Sequence, residues 1–164
     1  MLIRDEVSED IPTIGRLVTE ALRMLAQSTG TEAGIVEKLR ADDALTLSLL
    51  AEEAGEVVGY LAASPAQVGK QGGWGLIGPL VVLPSKHRQG IGSALMTEAL
   101  GRLRKTCIGA ALVGDPGYYG RFGFQAFPGL RVTGCPPEVV QALPFGGEEP
   151  SGELIHHKAF GLNQ

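Results

Sequence analysis

Pro84-Ser85-Lys86-His87-Arg88-Gln89-Gly90-Ile91-Gly92-Ser93-Ala94-Leu95 leads out of an apolar run, Trp74 to Leu83, and into an amphipathic one. Pro84 ends a strand. From Gly90 to Lys105 the apolar residues Ile91, Leu95, Ala99 and Leu103 recur four apart, which predicts a helix. Arg102, Arg104 and Lys105 fall in its last turn, where positive charge meets the negative end of the helix macrodipole. Two glycines, Gly90 and Gly92, fall in the first turn. Their missing side chains let a ligand approach the N–H groups that every helix N-terminus leaves without intrahelical partners. Those donors and the dipole form an anion site worth up to about 2 kcal/mol in a partly buried geometry, and phosphate is its natural guest.

Outward from this turn, the pattern predicts alternating strands and helices. Leu2 to Val7 is extended, Ser8 is placed to cap a helix, and Ile11, Ile14, Leu17, Val18, Ala21, Leu22 and Leu25 recur at helical spacing. Gln27 to Gly34 reads as a loop and Ile35 to Arg40 as a short helix. Leu45, Leu47 and Leu49 alternate with Thr46 and Ser48 as in a strand, and Ala54-Gly55 closes a hairpin onto Val57 to Ala63. Gly69 to Gly75 is a second glycine-rich connection, before the Trp74 strand. Beyond the glycine helix, Ala110 to Val113 is a brief buried strand and Gly117 to Phe122 one or two helical turns. Phe124 to Val132 is extended, Gly134 to Gly152 irregular, and Glu153 to Phe160 a final strand. The order β-α-α-β-β-β-α-β-α-β-β predicts an α/β chain of the mixed-sheet kind, with six to seven strands and helices on both faces. The crossover through the Gly90 helix implies a parallel pair.

The chain has 164 residues, 44% of them hydrophobic, which fits a single domain over 1-164 with a real core. A net charge of -4 argues against the broad basic face that binding to nucleic acid requires. Cys107 and Cys135 are read as reduced thiols, since no spacing resembles a metal knuckle. Met1 to Glu6 lacks the start of a signal peptide, and no apolar run is long enough to span a bilayer. A cytoplasmic protein with no membrane partner is expected.

Two commoner phosphate motifs fit the glycine turn poorly. The dinucleotide fingerprint wants Gly or Ala where this chain has Leu95, and Gly-Lys-Ser/Thr of the triphosphatase loop is absent. The apolar strand, Pro84, the basic loop and Gly90 to Leu95 together resemble the coenzyme A-binding motif of the GNAT N-acetyltransferase superfamily. Gly114-Asp115-Pro116-Gly117-Tyr118-Tyr119-Gly120-Arg121-Phe122-Gly123-Phe124 resembles the family's tyrosine helix, and is most similar to the YhbS-like branch. The resemblance implies a bulged strand splayed from the next parallel strand, with pantetheine between them. Gly78-Pro79 suits such a bulge. Val81, Val82 and Leu83 would then lie along the cofactor, with backbone groups around Val82 polarising the thioester carbonyl. The phosphates would rest on His87, Arg88, Gln89, Gly90, Ile91, Gly92, Ser93 and Ala94, with Lys86 beside them. One donor aimed at a developing oxyanion is worth roughly 3 to 4 kcal/mol.

The implied reaction is acetyl transfer from acetyl-CoA, as cosubstrate, to an amine of a small molecule or peptide by direct attack. Tyr119, four residues before Gly123, stands where the family has its general acid. A phenol of pKa about 10 would be nearly matched to the departing thiolate. No base is evident: the Trp74 strand has no carboxylate, leaving a water chain, Glu32 or Glu53. No metal is expected, because His156 and His157, adjacent in a strand, would point to opposite faces. Phe122 and Phe124 are assigned to the core, and Trp74 to a core or edge position. Glu32, Glu37, Asp42 and Asp43 suit either a cationic acceptor or a solvated acidic face. A homodimer is left open. The alternatives are a non-catalytic CoA-binding sensor and a nucleotide-dependent enzyme. One departure stands out: three residues before the first glycine the family commonly has Gln or Arg, and this chain has His87. A neutral histidine carries no fixed charge, so phosphate binding is expected to strengthen as it protonates.

Overall fold

Eight strands make a mixed sheet in the computed structural model, which describes residues 1–22 and 32–160. Leu25 and the loop from Gln27 to Thr31 lie outside the described residues, as do the side chains of Leu22 and Glu32. The strands are β1 (Leu2–Asp5), β2 (Leu47–Glu53), β3 (Glu56–Val68), β4 (Gln71–Val82), β5 (Gly109–Val113), β6 (Leu130–Arg131), β7 (Val140–Pro144) and β8 (Gly152–Ile155). The helices are α1 (Ile11–Leu22), α2 (Glu32–Ala41), α3 (Ile91–Leu103) and α4 (Pro116–Tyr119). No described helix is long and apolar enough to cross a membrane.

The chain divides into two compact units, Met1–Ala63 with Gly78–Ala99, and Ser64–Ile77 with the residues from Leu100 onward. In the first, the order is β1-β2-β3-β4, with β2 antiparallel to both β1 and β3. Ala54 and Gly55 both take positive φ (50° and 81°), the requirement of the tight turn whose twist matches a hairpin. Alternation along β3 sends Tyr60 and Ala62 to one face, where they meet Ile14, Leu17 and Val18 of α1 and Val36 of α2. Gly59 faces the other way. A Cβ there would lie 2.9 Å from Ile91 and 3.0 Å from Leu95, so glycine lets the first turns of α3 close on β3.

The entry to α1 differs from the expected cap. Ser8 begins a short 3-10 turn, and Asp10 makes the polar bond, accepting from the Val7 N–H at 2.7 Å. Arg4 grips the same carboxylate through two nitrogens, at 2.8 and 3.0 Å, and also reaches Glu52. The Arg4 guanidinium holds the Asp10 carboxyl below the usual carboxylate range. This ties β1, β2 and the start of α1 together where periodicity alone shows no signal.

The second unit has the order β3-β4-β5-β7, with β8 on β3 and β6 on β8. β4 with β5 and β6 with β8 are parallel. β4 sends Trp74 and Leu76 into a core with Ala111, Leu130, Val140, Ala142 and Leu154. Trp74 is therefore a core residue, its ring lying over Gly109. Three expectations change here. The segment expected to be irregular contains β7, antiparallel to β5, and this brings the strands to eight where six to seven were expected. The extended run expected from Phe124 reduces to one bridge at Gln125 and the two residues of β6. The last strand stops at Ile155, so His156 and His157 follow it instead of alternating within it.

His156 is buried, stacked at 5.4 Å on Phe160, and neither ring nitrogen finds a partner on another of the described residues. Burial, the largest cause, lowers its pKa from 6.5. A folded pKa below the unfolded one means that the unfolded chain binds more protons once pH drops below 6.5, so stability is lost as pH falls through that range. Thermal melts are expected to show this loss, and His156→Phe to flatten it; an unaltered acid slope would contradict the assignment.

Candidate functional site

The glycine turn lies wholly within the first unit and begins at the end of β4. Leu83 donates its N–H to the Val58 carbonyl of β3 at 2.9 Å. Pro84–Lys86 then form a 3-10 turn, and His87 returns to extended backbone (φ -64°, ψ 152°). Arg88 (φ 65°) and Gly90 (φ 81°) both take left-handed conformations. For Arg88 this is uncommon, and such strain gathers at functional positions. α3 opens immediately afterwards, its first recorded bond running from the Ala94 N–H to the Gly90 carbonyl at 3.0 Å. The N–H groups of Ile91, Gly92 and Ser93 therefore belong to the first turn, which has no intrahelical acceptors.

A Cβ added to Gly90 would meet nothing within 4 Å. Glycine is thus required there by its φ and not by packing, and the space over the turn is open. Val81, Val82, Leu83, His87, Arg88, Gln89, Gly90, Ile91, Gly92, Ser93 and Ala94 form a continuous path from strand end to helix start. The first-turn N–H groups and the Arg88 guanidinium are donors whose chemistry fits a phosphate-bearing ligand. The Gly78–Pro79 peptide in β4 is cis. β4 pairs with β5 through Trp74, Gly75 and Leu76.

The basic loop does not present three equivalent cations. Lys86 Nζ lies 3.4 Å from Glu53 Oε1, an ion pair that also engages one of the carboxylates considered as a base. His87 Nε2 lies 2.9 Å from the Val82 carbonyl oxygen. Arg88 is exposed and its guanidinium has no partner among the described residues, which leaves it available to an anion.

Tyr119 belongs to the second unit. Asp115 caps α4 by accepting the Gly117 N–H at 2.9 Å, and Pro116 occupies the first helical position, where its missing N–H costs nothing. The Tyr119 ring meets Tyr118 edge-on at 4.9 Å and Phe124 at 6.3 Å. It lies so close to Gly114 that a Cβ there would come within 2.6 Å of it. Its hydroxyl makes no hydrogen bond among the described residues. Burial pushes its pKa up to about 12, with smaller contributions from Tyr118 and Asp115. Phe124 is core, as expected, whereas Phe122 is only half-buried and packs on Tyr118.

The sequence gives no sign of a polar network in the first unit. Arg40 grips Glu6 at 2.7 and 3.1 Å, Ser48 donates to Glu6 at 2.6 Å, and Ser48 meets the Tyr60 hydroxyl at 2.7 Å. Because the Ser48 proton goes to the carboxylate, Tyr60 must be the donor to Ser48. A recess of about 260 Å³ opens beside it, lined by Asp5, Glu6, Arg40, Asp43, Leu45, Thr46 and Ser48. No group of His, Cys, Asp and Glu among the described residues has metal-binding geometry.

Residues 16–124 match the sequence family described as the acetyltransferase (GNAT) family. The Uncharacterized N-acetyltransferase YhbS of Escherichia coli strain K12 is 38% identical over 128 residues, covering 76% of this chain and 74% of the relative. A GNAT family acetyltransferase from Brucella melitensis, solved in complex with acetyl-CoA, is similar at 42% identity with a TM-score of 0.85, covering 97% of each chain. Escherichia coli YhbS solved in complex with CoA is 32% identical, with a TM-score of 0.86, covering 99% of this chain and 93% of that one.

Proposed function

Because the chain belongs to the acetyltransferase (GNAT) family, we propose that it is an acyl-CoA-dependent N-acyltransferase moving acetyl from acetyl-CoA to a primary amine by direct attack. The single observation that carries the reading is the open, strained turn from Arg88 to Ser93, with its first-turn N–H groups and an Arg88 that has no partner among the described residues. The relatives crystallised with acetyl-CoA and CoA support it. Bound acetyl-CoA supplies an acyl group activated as a thioester. The chain, acting as one transferase domain, supplies the rest. First-turn amides and Arg88 neutralise the phosphates, with Gln89 and Ala94 flanking them. The end of β4 holds the pantetheine arm through the edge that Val82 presents, flanked by Val81 and Leu83, and the Val82 N–H bonds the thioester carbonyl. The amine nitrogen forms a bond to that carbonyl carbon, the carbon–sulfur bond breaks, and Tyr119 gives a proton to the departing sulfur. The amine's own proton leaves to solvent, since Glu53 is engaged by Lys86, and a proton returns from solvent to the Tyr119 phenolate, so the step balances.

Arg88→Ala is expected to weaken coenzyme A binding roughly 10- to 100-fold, the range for losing a hydrogen bond to a charged group, and to reduce its salt sensitivity. Titration calorimetry reads both. Absence of coenzyme A binding by the wild-type chain would overturn the proposal. A mass-spectrometric screen of amines, amino acids, aminoglycosides and peptides with acetyl, propionyl and succinyl donors would identify acceptor and acyl preference. Binding with no product anywhere in that screen would favour the sensor.

A further inference from the structure

We propose that His87 is a positioning residue: by holding the Val82 carbonyl through Nε2, it fixes the end of β4 so that the Val82 N–H is aimed at the thioester carbonyl. This rests on the reading of the chain as an acetyl-CoA-dependent transferase.

The argument starts from strand alternation. Neighbouring residues of an extended chain send their N–H and C=O groups to opposite edges. Leu83 sends its N–H to Val58 on β3, so the N–H and C=O of Val82 face the edge away from β3. The pairing of β4 with β5 has already ended at Leu76, which leaves that edge to other partners. A single amide plane, between Val82 and Leu83, is therefore held at both ends. Its N–H is bonded to Val58 and its C=O lies 2.9 Å from His87 Nε2. Without the second contact, the plane could swing about its bond to β3, and the adjoining Val82 N–H would lose its direction. A donor in a site of this kind is useful in proportion to how little it must reorganise as charge develops.

A carbonyl oxygen only accepts, so Nε2 must carry hydrogen, and one ring nitrogen is thereby spent. The same residue immediately precedes Arg88 and stands three before Gly90, so the contact also ties the start of the phosphate cradle back onto the strand that carries the donor. Arg88, with no partner among the described residues, is the better phosphate ligand. His87 in this role couples cradle and strand edge.

The test uses acetyl-coenzyme A isotopically labelled at its thioester carbonyl, bound to the full chain and read by difference infrared spectroscopy. A hydrogen bond to that oxygen lowers its stretching frequency. In wild type the bound band is expected below that of free acetyl-coenzyme A. His87→Ala is expected to relax it toward the free value and to lower turnover about tenfold, the factor associated with one ordinary hydrogen bond. Coenzyme A affinity should stay within roughly threefold, because the phosphates keep their ligands. His87→Gln, whose amide N–H can also reach a carbonyl, should restore both band and turnover. If His87→Ala leaves the band unmoved and instead weakens coenzyme A binding, His87 is a phosphate ligand and the proposal is wrong. A wild-type band at the free position, with tight binding intact, would also overturn it while sparing the transferase reading. Failure of acetyl-coenzyme A to bind at all would end both.

Discussion

Tyr119→Phe is expected to lower turnover by roughly 10² to 10⁴, the range for a positioned general acid, while leaving coenzyme A affinity unchanged. Two facts about the ring sharpen this. Gly114 and Phe124 confine it, so phenylalanine keeps the packing and loses only the hydroxyl. Burial moves the phenol up to about 12, so it remains protonated throughout the range in which the protein can be assayed. The expectation of a near-matched transfer must then be revised. Against a thiol of pKa about 8.5, a phenol at about 12 gives up its proton uphill by roughly 5 kcal/mol. Tyr119 therefore acts best as a hydrogen-bond donor to sulfur while the carbon–sulfur bond is breaking, with full transfer completed as the amine's proton becomes available. The sign of the pH dependence follows. A donor titrating near 12 produces no alkaline limb below that value, so any limb seen at lower pH belongs to another group and must survive in Tyr119→Phe. Steady-state rates of both proteins, with the acceptor found by screening, decide the matter. Unchanged turnover would remove Tyr119 from the chemistry.

Local chemistry made some parts of this fold readable and not others. The hairpin at Ala54-Gly55 and α3 with its glycine turn announce themselves through turn residues and period, and both are present. β7 was not legible, because Pro136, Pro137 and Pro144 bracket it and only pairing with β5 stabilises it as a strand. Its buried Gln141 donates to the Gly114 carbonyl at 3.1 Å, a contact 27 residues away that no local pattern contains. The same limit applies at the site. The sequence presents Lys86, His87 and Arg88 as one basic cluster, and only the positions of Glu53 and the Val82 carbonyl separate a paired lysine and a bonded histidine from a free arginine. Glu6, Arg40, Ser48 and Tyr60 show the same thing, since a network scattered over two strands, a helix and the residue that follows β1 has no spacing to detect.

The largest effect on stability is expected from Gly152→Ala. β8 begins at this residue, and it closes onto β3 through Val68↔Leu154 and Gln67↔Ile155, while the Gly69 N–H reaches the Glu153 carbonyl at 2.9 Å. At this crossing two glycines meet. A Cβ on Gly152 would lie 2.7 Å from the Gly69 Cα and 2.8 Å from its nitrogen, and the residue has φ 133°, which side chains rarely adopt. Both obstacles are backbone atoms, so no rotamer change relieves them. Clash and conformational strain together are expected to cost about 3 kcal/mol or more, lowering the melting temperature by roughly 6 to 12 °C in a chain of this size. Gly147→Ala separates the two causes. Gly147 also has positive φ (82°), but a Cβ there would meet nothing within 4 Å, so it should lose only about 1 kcal/mol. Equal melting shifts in the two variants would mean that the crossing can open, and that β8 is held by Leu154 in the core instead of by close backbone contact. A much larger shift in Gly152→Ala would mean that the last strand depends on two glycines 83 positions apart, each admitting the other's backbone.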